Sequence, residues 1–186
     1  SNTVGTLAID IGNSTTVVAF QAERESSPIL LRLPPITRAQ GEVPSIVWYN
    51  QSEKKELLVG QEVIDAGLGK TEHQNLSCNF KRWIGAPTAL GEETSSLSPE
   101  KSGELLLKQI WKRLPKNLQI KRLVLTAPIE TYRNYRKWLR EVCVKLPVNE
   151  IALVDEPTAA AMGAGLAPGS KLLVVDLGGS TIDLAL

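Results

Sequence analysis

The chain has 186 residues, with 21 Lys plus Arg against 20 Asp plus Glu and a net charge of +1. That near balance argues against a nucleic-acid-binding or membrane-surface protein, because neither sign dominates. No apolar run approaches the ~20 residues that a membrane-spanning helix needs. The two cysteines, Cys78 and Cys143, lack metal-type spacing and read as unpaired thiols of a cytoplasmic protein.

The first element is a hairpin. Residues 6–11 and 16–21 are apolar runs joined by a short turn, Gly12-Asn13-Ser14-Thr15, with Asp10 just ahead of it. A short strand is expected over residues 29–33, stopped by Pro34-Pro35, since proline cannot donate to a sheet ladder. Residues 39–97 read as an inserted small subdomain, with short strands at 45–49 and 57–59 and a weak helix over 60–68. A helix then starts cleanly: Ser98 suits the N-cap, Pro99 the first helical position and Glu100 the positive end of the dipole. Leu106, Leu107, Ile110, Trp111 and Leu114 recur at helical spacing up to Pro115. A strand over 121–126 precedes an amphipathic helix over 131–146. Tyr135, Trp138, Leu139, Val142 and Leu146 form its apolar stripe, and Arg133, Arg136, Lys137 and Arg140 a solvated face. A buried strand (151–154) and a small-residue helix (Ala159, Ala160, Ala161, Gly163, Gly165) follow.

The opening phrase then returns. Leu173-Val174-Val175-Asp176-Leu177-Gly178-Gly179-Ser180-Thr181 repeats the pattern of apolar run, Asp and Gly/Ser/Thr turn seen at residues 7–15. Backbone N–H groups in such turns can approach phosphate oxygens closely, and Ser14, Thr15, Ser180 and Thr181 add hydroxyl donors. A strand-end Asp can hold hydrated Mg2+, which takes only one or two carboxylates. On the residues alone, Asp10 and Asp176 equally suit strand ends and turn caps, and Glu156 suits a helix start. Helices alternating with strands in the second half imply parallel strands with helices on their faces. Ser1-Asn2 reads as the scar of a cleaved tag and Leu186 falls inside an apolar run, so the chain is expected to be a piece of a longer protein.

These residues resemble the nucleotide-binding domain of the seventy-kilodalton heat-shock chaperones (DnaK type), within the actin, hexokinase and heat-shock ATPase superfamily. The resemblance runs through Asp10–Thr16, Val43-Pro44-Ser45-Ile46-Val47, Leu58-Val59-Gly60-Gln61, Phe80-Lys81-Arg82-Trp83-Ile84-Gly85, Leu125-Thr126-Ala127-Pro128, Asp155-Glu156-Pro157-Thr158-Ala159-Ala160-Ala161 and Asp176–Asp183. It implies an α/β fold, a ribonuclease H-like (actin-like ATPase) lobe with a mixed five-stranded sheet flanked by helices. Residues 1–38 and 98–170 would form that lobe, 39–97 the insert, and 171–186 the first hairpin of a second, truncated lobe.

The resemblance also implies roles. Lys81 would reach the γ-phosphate and the attacking water. Glu156, Thr181 and Asp183 would complete the hydrolytic site, and Asp10 and Asp176 would hold the Mg2+ shell. Gly12, Asn13, Ser14 and Thr15 with Gly178, Gly179, Ser180 and Thr181 would bind the nucleotide. Pro128 and Arg136 would relay nucleotide state to a substrate domain. The implied ligands are ATP and Mg2+, with K+ as a candidate second cation. The implied partners are unfolded clients and co-chaperones, bound through regions outside this chain. The chain alone is expected to be inactive, and residues 171–186 to offer an edge for pairing with another copy. The chain departs from the family at Asn13-Ser14, where Thr-Thr is usual, at Ser180, where glycine is usual, and in a shorter stretch between Gly85 and Pro99. A filament-forming or cell-shape protein, a sugar kinase and a non-hydrolysing nucleotide sensor are the alternative readings.

Overall fold

A computed structural model describes residues 1–25, 27–52, 54–87, 95–128 and 132–155. The elements run β1 (Thr3–Ile11), β2 (Thr15–Ala22), β3 (Ile29–Leu30), β4 (Glu42–Pro44), β5 (Ile46–Asn50), β6 (Glu56–Val59), α1 (Gln61–Asp65), β7 (Leu76–Cys78), α2 (Pro99–Arg113), β8 (Leu118–Ala127), α3 (Tyr132–Cys143) and β9 (Glu150–Asp155). A 3-10 turn, Lys81–Trp83, lies between β7 and α2. The expected helix at 159–165 and hairpin at 171–186 lie outside the described residues.

The chain divides into two compact units. The first comprises Ser1–Asp10, Val17–Leu31 and the chain from Pro115 onward; the second comprises Ile11–Thr16 and Arg32–Leu114. The first unit contains most of a mixed sheet of order β3-β2-β1-β8-β9. A sixth strand, β4, also pairs with β2. The main path therefore carries the five strands expected. β1 runs parallel to β8, with Leu7 opposite Leu123 and Ile9 opposite Leu125, and β8 runs parallel to β9. Alternation explains β1 and β2: Leu7, Ile9 and Ile11 are buried on the first, Val18 and Phe20 on the second. β8 and β9 are instead continuously apolar at their centres, as strands covered on both faces are. α3 buries Tyr135, Trp138, Leu139, Val142 and Cys143, spaced i, i+3, i+4, i+7 and i+8, and packs on β8. Of the expected solvated face, Arg133, Lys137 and Arg140 are exposed, whereas Arg136 is half-buried.

β3 is shorter than the expected strand. Leu31 still donates to Val18 O at 3.0 Å, but the chain then turns: Leu33 O accepts from Ile36 N and Thr37 N at 2.9 and 3.1 Å.

In the second unit an antiparallel sheet of order β6-β5-β7 packs Trp48, Val63 and Leu76 with Ile46, Leu58 and Leu68. α2 has the expected N-cap, with Ser98 Oγ accepting from Lys101 N at 3.1 Å and Pro99 as first helical residue. It packs on β5 and on the 3-10 turn. Ser102 and Ser77 are buried and share a hydroxyl–hydroxyl bond of 2.6 Å, and Glu100 Oε1 accepts from Gly85 N at 3.0 Å. The observed division thus groups α2 with residues 32–87 in the second unit.

Gly60 caps α1 at φ 63°, where its N–H donates to Ile46 O at 2.9 Å and Gln61 N donates to Ile36 O at 2.9 Å. A Cβ there would sit 2.5 Å from Ile36 O. Gly60→Ala is expected to cost roughly 2 kcal/mol through a strained φ and this backbone collision, read as a lower urea midpoint at unchanged m-value.

Both cysteines are free thiols, Cys78 exposed and Cys143 buried. Burial pushes the Cys143 thiol from 9.0 up to about 12. The fold therefore keeps a proton that the unfolded chain releases above about pH 9, so this contribution falls as pH rises from about 9 toward 12. Urea midpoints measured at pH 8 to 11 are expected to fall less steeply in Cys143→Ala than in the parent. At pH 8 a thiol reagent is expected to label Cys78 in the native protein and Cys143 only after unfolding.

Candidate phosphate-binding turn

The β1–β2 reversal is tight. Gly12 N donates to Thr15 O at 3.0 Å. A Cβ on Gly12 would lie 2.2 Å from that same oxygen, so the turn closes this way only with glycine at position 12. Four of the expected site residues, Gly12, Asn13, Ser14 and Thr15, sit on this one turn, with Ser14 exposed at its tip.

A buried relay of hydroxyls holds the turn. Ser45 Oγ donates to Gly12 O at 2.7 Å and lies 2.9 Å from Thr16 Oγ1. A serine hydroxyl has one proton. That of Ser45 is committed to Gly12 O, so Thr16 is the donor in the second bond. Ser45 N also donates to Ser14 O at 2.9 Å. Thr16 and Ser45 are 0% and 1% exposed, so every partner in this relay matters energetically.

Two further groups reach the turn. Arg38 Nη2 donates to Thr15 Oγ1 at 2.8 Å, and its Nε pairs with Glu42 at 3.0 Å. Asn13 Nδ2 donates to Asn79 Oδ1 at 3.2 Å. Asn79 has φ 53°, a left-handed conformation that asparagine tolerates. Two residues later, half-buried Lys81 opens the 3-10 turn. The Asn13–Asn79 bond therefore ties the β1–β2 turn to the segment that carries Lys81.

The donor set fits an anion: a glycine-dependent turn, exposed Ser14, and Thr15 beside a guanidinium. Among the described residues, Asn13 Oδ1 is buried without a hydrogen-bond partner.

In the first unit, the parallel strands β1, β8 and β9 end together, the edge where open α/β sheets place ligands. Asp10 is exposed near the end of β1 and accepts a hydrogen bond from Thr126 of β8. Ala127 stands opposite Asp155 at the end of β9. A hydrated Mg2+ fits a lone carboxylate such as Asp10, and among the described residues no group of three His, Cys, Asp or Glu side chains converges. Pro128 directly follows β8, and Arg136 lies half-buried on α3. Glu156, Asp176, Gly178, Gly179, Ser180, Thr181 and Asp183 lie outside the described residues.

Sequence reasoning did not single out Arg38, Thr16, Ser45, Asn79 or Thr126 as site residues. Thr16, Ser45 and Thr126 stand inside quoted motifs, which was a usable signal. Arg38 and Asn79 carry none, because only the fold brings them to the turn.

A mixed sheet that opens with a β-hairpin and carries helices is consistent with an actin-like ATPase fold, and the family match agrees. The chain belongs to the MreB/Mbl protein family, whose family model matches residues 37–186. It is also 28% identical over 185 residues to the chaperone protein DnaK of Thermosipho melanesiensis, covering 97% of this chain and 30% of that protein. Against the chaperone protein DnaK of Ureaplasma urealyticum serovar 10 it is 30% identical over 185 residues, covering 96% and 29%. The chain thus spans less than a third of the length of these relatives.

Ser45→Ala removes the acceptor of Thr16 and a donor to Gly12 O at once. It is expected to cost about 2 kcal/mol, in the range for a buried hydroxyl left unpaired, measured by urea denaturation.

Proposed function

We propose that the full-length protein binds ATP with Mg2+ at the turn of residues 12–15 and hydrolyses the γ-phosphate to drive binding of a client or partner, as a heat-shock-type chaperone ATPase. The observation that carries this reading is the glycine-dependent turn locked by Ser45 and tied to the Lys81 segment by the Asn13–Asn79 bond. Likeness to DnaK chaperones over 97% of the chain, the opening hairpin included, supports the chaperone branch.

In this reading the turn's N–H groups and the Ser14 and Thr15 hydroxyls bind phosphate oxygens. Lys81 neutralises charge developing at the γ-phosphate. Asp10 and Asp176 hold Mg2+ through its waters, and that ion would neutralise phosphate charge, with K+ as a second cation. Glu156, Thr181 and Asp183 order the attacking water, and Gly178, Gly179 and Ser180 form the opposing turn. Pro128 and Arg136 carry the nucleotide state to a substrate domain. Clients and co-chaperones bind outside this chain, and the setting is the cytoplasm. Residues 1–38 and 98–170 serve as the first lobe, 39–97 as its insert and 171–186 as the start of the second. The last of these is the edge through which copies of the isolated chain would pair.

The match to the MreB/Mbl model favours a second reading, an ATPase that assembles into filaments. Light scattering of the full-length protein separates the two: ATP-dependent polymerisation supports the filament, and turnover stimulated by unfolded peptide without polymerisation supports the chaperone. Lys81→Ala is expected to lower kcat roughly 10²–10³-fold, the range for losing one group that meets transition-state charge. MgATP affinity by calorimetry should stay within a few-fold. Unchanged turnover would leave Lys81 a surface lysine.

A further inference from the structure

The contact between Arg38 and Thr15 has a directional consequence. A threonine hydroxyl offers one proton and two lone pairs, whereas a guanidinium only donates. Arg38 Nη2 therefore occupies a lone pair of Thr15 Oγ1 at 2.8 Å. Thr15 makes no other side-chain hydrogen bond among the described residues, so its proton is uncommitted. The guanidinium is held in place from both sides. Its Nε pairs with Glu42 at 3.0 Å, while the backbone turns back on itself, with Arg38 N donating to Glu42 O at 2.9 Å and Glu42 N to Ala39 O at 3.1 Å. Glu42 opens β4, which pairs with β2, the strand that Thr15 begins. Arg38 is thus carried by the same strand pairing that places its target.

We propose that Arg38 is a positioning residue for the phosphate chain of a nucleoside triphosphate: it fills the lone pair of Thr15 Oγ1 and leaves that hydroxyl's single proton to donate to a phosphate oxygen. The inference rests on the reading that the turn of residues 12–15 takes phosphate. The exposed guanidinium also places positive charge beside the turn, and a neutral ligand would gain nothing from it. The effect of Arg38 on binding is therefore routed through Thr15 and confined to ligands that carry phosphate.

Calorimetry on the full-length protein tests this with MgATP and with adenosine as the phosphate-free probe. The panel is the parent, Arg38→Ala, Thr15→Val, the double variant, Arg38→Lys and Thr15→Ser. Arg38→Ala and Thr15→Val are each expected to weaken MgATP binding about tenfold, the loss of one charge-assisted bond. The double variant is expected to lose about tenfold as well, because the two residues act as one unit. Adenosine affinity should stay within about twofold throughout. Arg38→Lys keeps a donor and a charge and should recover most of the loss. Thr15→Ser keeps the hydroxyl and should retain full dependence on Arg38, which preserves the test if Thr15→Val does not fold. Losses that multiply to about a hundredfold in the double variant would make Arg38 an independent charge and overturn the proposal, as would an Arg38→Ala protein that binds MgATP like the parent. A parent that binds no MgATP removes the nucleotide reading and this inference together; a parent that binds while Arg38→Ala is unaffected removes the inference alone.

Discussion

The backbone reversal at Gly12 is the constraint on which the candidate site depends. β1 and β2 are consecutive strands of one sheet, and the chain has only Gly12, Asn13 and Ser14 between Ile11 and Thr15 in which to turn. Closing so short a loop brings position 12 onto the carbonyl of Thr15, where a Cβ would sit at 2.2 Å. Glycine permits the closure, and its cost is freedom lost on folding. The compensation comes from Ser45, which accepts from Thr16, donates to Gly12 O and ties its own N–H to Ser14 O. One serine, carried just after β4, therefore fixes both ends of the turn and its middle.

Local signals made the larger elements legible, and long-range pairing hid the rest. The β1–β2 hairpin was readable because alternation and turn residues coincide. α3 was readable because its apolar stripe and basic face are both regular. α2 was readable in extent, through Ser98, Pro99 and the Leu106–Ile110 spacing, while its packing partner was not. Its buried face includes Ser102 and Gly103, and small residues of that kind do not announce what they pack against. The partner is Ser77 of β7, a strand of three residues. Leu76-Ser77-Cys78 holds too little alternation to be read as a strand, and its ladder is supplied by β5.

The site divides along the same line. Gly12 to Thr15 fall on one turn because they are contiguous, and contiguity is what a sequence displays. Arg38 meets Thr15 across 23 residues, and Asn79 meets Asn13 across 66. Neither arginine in a proline- and glycine-rich stretch nor asparagine after a cysteine has a local pattern that announces such a partner. The resemblance to chaperones could not supply them either, since it transfers roles only at matching motif positions.

Asn13 shows how a departure from a family pattern acquires physical content. The usual threonine offers one hydroxyl proton at this position, while asparagine offers two amide donors and a carbonyl acceptor. One donor is used on Asn79 Oδ1, two residues before Lys81. Asn79 is suited to receive it, because the backbone there sits at φ 53° and asparagine tolerates that conformation with its side chain free to bond. The exchange thus gives the turn a link to the Lys81 segment. It also leaves Asn13 Oδ1 buried without a donor among the described residues, a state that costs about 1–3 kcal/mol in a protein interior. A surface turn of no function gains nothing by carrying that cost. Among the described residues, Asn13 and Thr15 thus differ in what they leave unpaired on the turn, an acceptor on the first and a hydroxyl proton on the second.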